Sequence, residues 1–96
     1  MLFVVTAMDK PGALDLRMAT RAAHFEYVKA TAMVRLGGPY LGDKDAMIGS
    51  LVILEAPDLA AAKDWAANDP YAKAGLFRST TVTPWKATAN YCGAAL

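Results

Sequence analysis

Residues 47–55 read MIGSLVILE, and this stretch decides the fold. As a β-strand it would place large apolar side chains on both faces, because its alternate positions are Met47, Gly49, Leu51 and Ile53 on one side and Ile48, Ser50, Val52 and Leu54 on the other. Such a strand needs cover on both faces. The alternation does not say which face meets helices.

The segments around this strand predict the element order β-α-β-β-α-β. Upstream lie a strand at residues 2–8, a helix from about 14 to 34 that ends near Gly37, a short strand at 39–41 and a turn at 42–45. Downstream lie a helix at 59–67, with Asp58 as its cap and Trp65 as its large core anchor, and a strand at 77–85. This order is that of the ferredoxin-like α+β sandwich, in which two helices lie on one face of a four-stranded antiparallel sheet.

Two helices cover only one face of such a sheet, so the second apolar face needs another cover. A homodimer that packs sheet face against sheet face is the simplest one, burying residues such as Val4, Leu51 and Ile53 or their neighbours. The alternative is an unusually hydrophobic monomer.

Composition predicts a single globular domain over residues 1–96, with 87–96 as a C-terminal tail. Of the 96 residues, 55% are hydrophobic and 20% are charged, and the net charge of +1 shows no block of either sign. Nucleic acid is therefore not an expected partner. No apolar run is long enough for a membrane span, and the single cysteine, Cys92, rules out an intrachain disulfide, so we expect a cytoplasmic protein.

Two stripes on the first helix carry different chemistry. The apolar residues recur at helical spacing and predict the buried stripe: Leu14, Met18, Ala22, Phe25 and Ala32. A second arc, about 80° round the cylinder, carries Arg17, Arg21 and the single histidine, His24. His24 is then either a functional group at the edge of the buried face or a boundary residue beside a solvated flank.

The stretch WAANDPYAKAGLF at residues 65–77 raises the question of what Asp69 does. Pro70 disfavours the helical conformation at Asp69, so the second helix must stop near Asn68. Asp69 can then cap a short turn with Pro70 in its first position and Gly75 at its close. Because the two helices of this fold lie side by side, the Asp69 carboxylate is also expected to accept a hydrogen bond from His24.

Four segments together form a recognisable pattern: LFVVTAMDKPGALDLRMATRAAHF at residues 2–25, GGPYL at 37–41, AAAKDWAANDPYAKAGLF at 60–77 and TVTPW at 81–85. Through these segments the sequence resembles the YCII-related (YciI-like) family over nearly its whole length. The resemblance implies a ferredoxin-like dimeric α+β barrel and an active site with a His and Asp pair, which map onto His24 and Asp69. The tail from Ala87 onward has no counterpart in the family pattern.

Two functional hypotheses follow. In the first, His24 and Asp69 are catalytic, Arg17 or Arg21 binds a substrate oxygen, and Tyr71 lines the cleft. The resemblance then implies lyase or isomerase chemistry on a small, anionic organic substrate. No cofactor and no metal are expected, since the chain lacks a P-loop, a dinucleotide fingerprint and a dense cluster of metal ligands. In the second, the protein binds a small molecule without turnover, and the His–Asp pair is structural.

Overall fold

The computed structural model describes all residues, 1–96, and contains one antiparallel sheet with helices on one face. The strands are β1 (Leu2–Asp9), β2 (Val34–Leu41), β3 (Met47–Glu55) and β4 (Phe77–Trp85), in the spatial order β2-β3-β1-β4. The helices are α1 (Leu14–Thr31), α2 (Leu59–Asn68) and the one-turn α3 (Pro70–Lys73); a single 3₁₀ turn covers Asp43–Asp45. The predicted α+β ferredoxin-like fold is confirmed.

The register of β1 and β3 shows which sheet face the helices cover. Val5 lies opposite Val52, and Phe3 lies opposite Leu54; all four are buried in the core under the helices. Their neighbours Val4, Leu51 and Ile53, together with Thr83 and Trp85 of β4, line a shallow groove on the opposite, helix-free face. The residues named for the dimer contact therefore lie on the face without helices, although Ile53 is already buried within one chain.

The first helix ends earlier, and the second strand begins earlier, than the sequence predicted. Ala32 adopts a left-handed conformation with φ 55°, which ends the helix at Thr31. The Glu55 amide donates to the Met33 carbonyl at 2.9 Å and ties the following segment to the end of β3. Pairing with β3 thus extends β2 back to Val34, where helical periodicity had predicted continued helix.

The prediction that the apolar stripe forms the buried face of α1 is wrong. Met18 and Phe25 are 47% and 53% exposed, and Leu14 and Ala22 are also exposed. The buried residues of α1 are Arg17 and His24, about 100° round the helix from Met18 and Phe25. Burial of these polar groups is tolerated because each has a carboxylate partner.

The second helix meets its prediction. Asp58 caps it by accepting a hydrogen bond from the Ala61 amide at 2.8 Å, and Ala62, Trp65 and Ala66 are buried in the core. Trp65 is therefore the core anchor that the sequence predicted. No helix in the structure is long and apolar enough to cross a membrane.

Candidate active site

A buried pair of side chains joins α1 to the segment that follows α2. His24 Nδ1 lies 2.9 Å from Asp69 Oδ1, and both side chains are almost fully buried. A carboxylate oxygen can only accept, so Nδ1 carries the proton that it receives. In the neutral ring, Nε2 then holds a free lone pair. No protein group hydrogen-bonds Nε2, and no fully buried side-chain nitrogen or oxygen lacks a partner, so Nε2 keeps some exposure. His24 itself lines a cavity.

Local sequence explains why Asp69 stands where it does. Pro70 occupies the first position of α3, and Asp69 has an extended ψ of 130° that ends α2. The same Oδ1 atom that contacts His24 also accepts from the Tyr71 amide at 2.9 Å. The carboxylate therefore caps α3 while it pairs with His24, as the sequence predicted. The backbone hydrogen bond prevents the carboxylate from rotating away from the imidazole.

Tyr71 forms the wall beside His24. The two rings stack with centroids 4.2 Å apart and an interplanar angle of 18°. Burial raises the pKa of Tyr71 above its ordinary value, with the nearby Arg17 and Arg21 partly opposing this shift. The phenol is thus neutral at pH 7, and its ring holds the plane of the imidazole.

Arg17 is bound within the protein. Its Nε and Nη2 atoms donate to the two carboxylate oxygens of Asp9 at 2.8 and 3.1 Å, and Nη2 also donates to Ser50 Oγ at 2.7 Å. Its guanidinium carbon lies 4.7 Å from the centroid of the Tyr71 ring. Arg17 is 3% exposed and packs against the Tyr71 ring. Because Asp9 and Ser50 already bind its guanidinium, it has little freedom to bind a ligand.

Arg21 differs from Arg17 in burial and in pairing. It lies one turn further along α1, is exposed, and forms no ion pair. Its guanidinium carbon lies 5.2 Å from the centroid of the Phe25 ring, at the rim of the cavity. Among the cavity residues, Arg21 is therefore the cation that is free to bind a ligand.

A cavity of about 120 Å³ brings these groups together between α1, β2, β3 and α3. Among its lining residues are His24, Arg17, Arg21 and Tyr71, together with the side-chain-poor segment Gly37-Gly38-Pro39 of β2. Asp69 stands behind His24 and does not line the cavity. The structure thus places four of the five predicted site residues at one cavity and the fifth, Asp69, in contact with two of them, His24 and Tyr71.

Sequence reasoning missed two polar residues at this site. Asp9 directly follows the predicted first strand, and Ser50 lies within the predicted third strand, but neither was predicted to belong to the site. Each had a detectable signal: Ser50 is the one polar member of an apolar alternate set, and Asp9 continues the buried alternation Phe3, Val5, Ala7. A polar group at a core position requires a partner, and Arg17 supplies it for both.

Comparison with known proteins places this chain in a family. Residues 1–86 match the YCII-related domain. An uncharacterized protein of Haemophilus influenzae is 36% identical over 95 residues, covering 90% of this chain and 97% of that protein. Protein YciI of Escherichia coli is 35% identical over 95 residues, with the same two coverages.

Solved structures extend the comparison. The 5-chloro-2-hydroxyhydroquinone dehydrochlorinase TftG from Burkholderia phenoliruptrix AC1100, in complex with 2,5-dihydroxybenzoquinone, is 40% identical to this chain with a TM-score of 0.82, covering 90% of this chain and 94% of that one. An antibiotic biosynthesis monooxygenase is 22% identical with a TM-score of 0.57, covering 93% of this chain and all of that one, and shares the fold. The chain belongs to the YCII-related family.

Proposed function

We propose that this member of the YCII-related family is an acid–base enzyme of the lyase or isomerase type, with His24 as the group that moves the proton. One observation carries the proposal: a buried imidazole that lines a cavity is held through Nδ1 by Asp69 at 2.9 Å, while its other nitrogen has no partner in the protein. The alternative is a protein that binds a small molecule without turnover, in which the same pair only joins α1 to α3.

The arrangement suits general base catalysis. Asp69 fixes the tautomer with the proton on Nδ1, so the Nε2 lone pair can accept a proton from a substrate O–H or C–H group. The electron pair released from that bond moves into the substrate, toward an oxygen or a leaving group. The imidazolium that forms faces the Asp69 carboxylate, which stabilises its charge. Return of the proton to product or water restores the neutral ring.

The similarity to TftG supports a substrate class. A dehydrochlorinase removes a proton and chloride from its substrate, which requires a proton acceptor and no net oxidation or reduction. At 40% identity and a TM-score of 0.82, we propose a small hydroxylated ring compound for this chain as well. Such rings ionise readily, and Arg21 is the cation at the cavity rim that is free to bind the anion.

The first test is release of chloride from 5-chloro-2-hydroxyhydroquinone. We expect His24→Gln to lower kcat about 10²-fold or more, because general base catalysis contributes that much. Lys29→Gln, which changes an exposed cation on the same helix, is the matched control and should leave kcat unchanged. Wild-type protein that binds 2,5-dihydroxybenzoquinone and turns over no hydroxylated or chlorinated ring would favour the binding alternative.

The roles of the two arginines can be distinguished by measuring KM and stability. Because Arg21 is exposed and has no internal partner, Arg21→Gln should raise KM with little change in the melting temperature. A substitution at Arg17 should instead destabilise the fold, because it breaks a buried ion pair. An Arg21→Gln variant with unchanged KM would remove Arg21 from the proposed site.

We further propose that the protein is a homodimer through the helix-free sheet faces. The support is the apolar groove formed there by Val4, Leu51 and Trp85, together with the exposed Leu36 of β2 opposite Ile53. Removing these side chains from water would favour association. Sedimentation should give twice the chain mass, and Leu51→Lys should yield monomers. A stable wild-type monomer at micromolar concentration would end this proposal.

A further inference from the structure

The Ser50 hydroxyl accepts a hydrogen bond within the protein but donates none. It lies on the helix-covered face of β3, is 7% exposed, and lines the cavity beside His24. Its oxygen accepts from Arg17 Nη2 at 2.7 Å, and this is the one hydrogen bond of its side chain. An arginine only donates, so Ser50 can act there only as the acceptor. The hydroxyl proton therefore has no acceptor within the protein.

We propose that Ser50 is a hydrogen-bond donor to an oxygen atom of the substrate. Arg17 holds one lone pair of the hydroxyl oxygen, and the two contacts of Arg17 with Asp9 hold the guanidinium in place. The hydroxyl can then rotate its proton toward the cavity that Ser50 lines. Arg17 is in this view a positioning residue, whose effect on the substrate passes through Ser50.

This role fits the chemistry of proton removal. When His24 takes a proton, negative charge develops on an oxygen of the substrate, and a donor aimed at that oxygen stabilises the charge. A hydroxyl whose oxygen is bound to a guanidinium is a better donor than a free one, since adjacent hydrogen bonds polarise one another. Ser50 keeps its own proton throughout, so the step needs no further group. The inference rests on the proposed function in assuming an oxygen-bearing ligand at this cavity.

The test is the affinity for 2,5-dihydroxybenzoquinone, a probe that presents carbonyl and ionisable oxygen atoms. We expect Ser50→Ala to raise Kd about ten- to hundredfold, as loss of a hydrogen bond to a charged group does. Ser50→Thr keeps the hydroxyl and should bind with close to the wild-type Kd, and Ser50→Cys, with a weaker donor, should fall between. Ser79→Ala, at an exposed serine of β4, is the control and should not change Kd.

Stability measurements separate this role from a structural one. Arg17 keeps both contacts with Asp9 when Ser50 is replaced, so all three variants should fold. A Kd that follows the donor order, at similar melting temperatures, supports the inference. A Ser50→Ala or Ser50→Cys variant that binds the probe like the wild type overturns it. Failure of the proposed function appears elsewhere, as His24→Gln turnover equal to the wild type, because the binding assay requires no turnover.

Discussion

The two long helices of this protein cover the same sheet face by opposite means. Helix α2 buries alanines and Trp65, whereas the buried residues of α1 are an arginine and a histidine. The apolar side chains Leu14, Met18 and Phe25 of α1 point away from the core and are exposed. Helix α2 is thus held by apolar contact, and the first half of α1 is held by the buried ion pair between Arg17 and Asp9.

This difference shows how a site is built into a small fold. A cavity lined with polar groups can exist beneath α1 because α2, Phe3 and Leu54 supply the apolar core elsewhere. The helices meet at the far end of α1, where Tyr27 Oη donates to the Trp65 carbonyl at 2.8 Å and Trp65 Nε1 donates to Thr31 Oγ1 at 2.9 Å. Substitutions on the two helices should therefore differ in the size and cause of their effects.

The largest effect is expected at Trp65. Trp65→Ala should lower the free energy of unfolding by about 3 to 5 kcal/mol, through lost burial and the cavity left behind. Chemical denaturation followed by far-ultraviolet circular dichroism measures this loss. A change below about 1 kcal/mol would contradict the position of Trp65 in the core and remove the contrast between the helices.

Arg17→Met should have the next largest effect, about 3 kcal/mol, because Asp9 would remain as a buried and unpaired carboxylate. This value lies at the low end for buried pairs because Asp9 also lines an open surface cleft beside Lys10 and Arg78, from which water can reach it. In the double variant Asp9→Leu, Arg17→Met, no charge remains unpaired, and stability should return toward the wild type. If the single variant is as stable as the wild type, ion pairing does not hold the first half of α1.

A smaller effect is expected at Tyr27, where the helices meet. Tyr27→Phe should cost about 1 kcal/mol at neutral pH through loss of one hydrogen bond. Burial raises the pKa of Tyr27 in the folded chain, and the charges of Asp69 and Asp64 raise it further. The contribution of Tyr27 to stability is therefore complete below the pKa that it has in the unfolded chain, and it is lost as the pH rises through its pKa in the folded chain.

Denaturation at several alkaline pH values tests whether stability falls with rising pH as expected. Wild-type stability should fall more steeply with pH than that of Tyr27→Phe, since the variant lacks one of the groups whose pKa is raised. Identical slopes for the two proteins would show that the Tyr27 hydroxyl titrates alike in the folded and unfolded chains.

The smallest effect is expected on the outer surface of α1. Met18→Gln should change the free energy of unfolding by less than about 0.5 kcal/mol, since surface substitutions rarely do more. Thermal unfolding at several protein concentrations provides the measurement. A loss above about 1 kcal/mol that grows with protein concentration would show that another chain covers this surface.

By itself the sequence determined the order of the elements and the geometry around Asp69. Period-two and helical patterns predicted four strands and two helices, because these periods follow from local backbone geometry. Proline sterics fixed the end of α2, and the same local rule placed the Asp69 carboxylate at the start of α3. With the helices side by side, the contact between His24 and Asp69 then followed, although 45 positions separate them.

Only the tertiary structure decided which side of α1 faces inward and what Arg17 does. Apolar periodicity favoured the stripe through Met18 and Phe25, because that pattern reports side-chain hydropathy and cannot report a partner supplied by a distant strand. Ser50 lies 33 positions from Arg17, and its contact depends on how α1 sits above β3. A buried charge is stable only where its partner is already in place, so strand pairing and helix docking determine the inward face of α1.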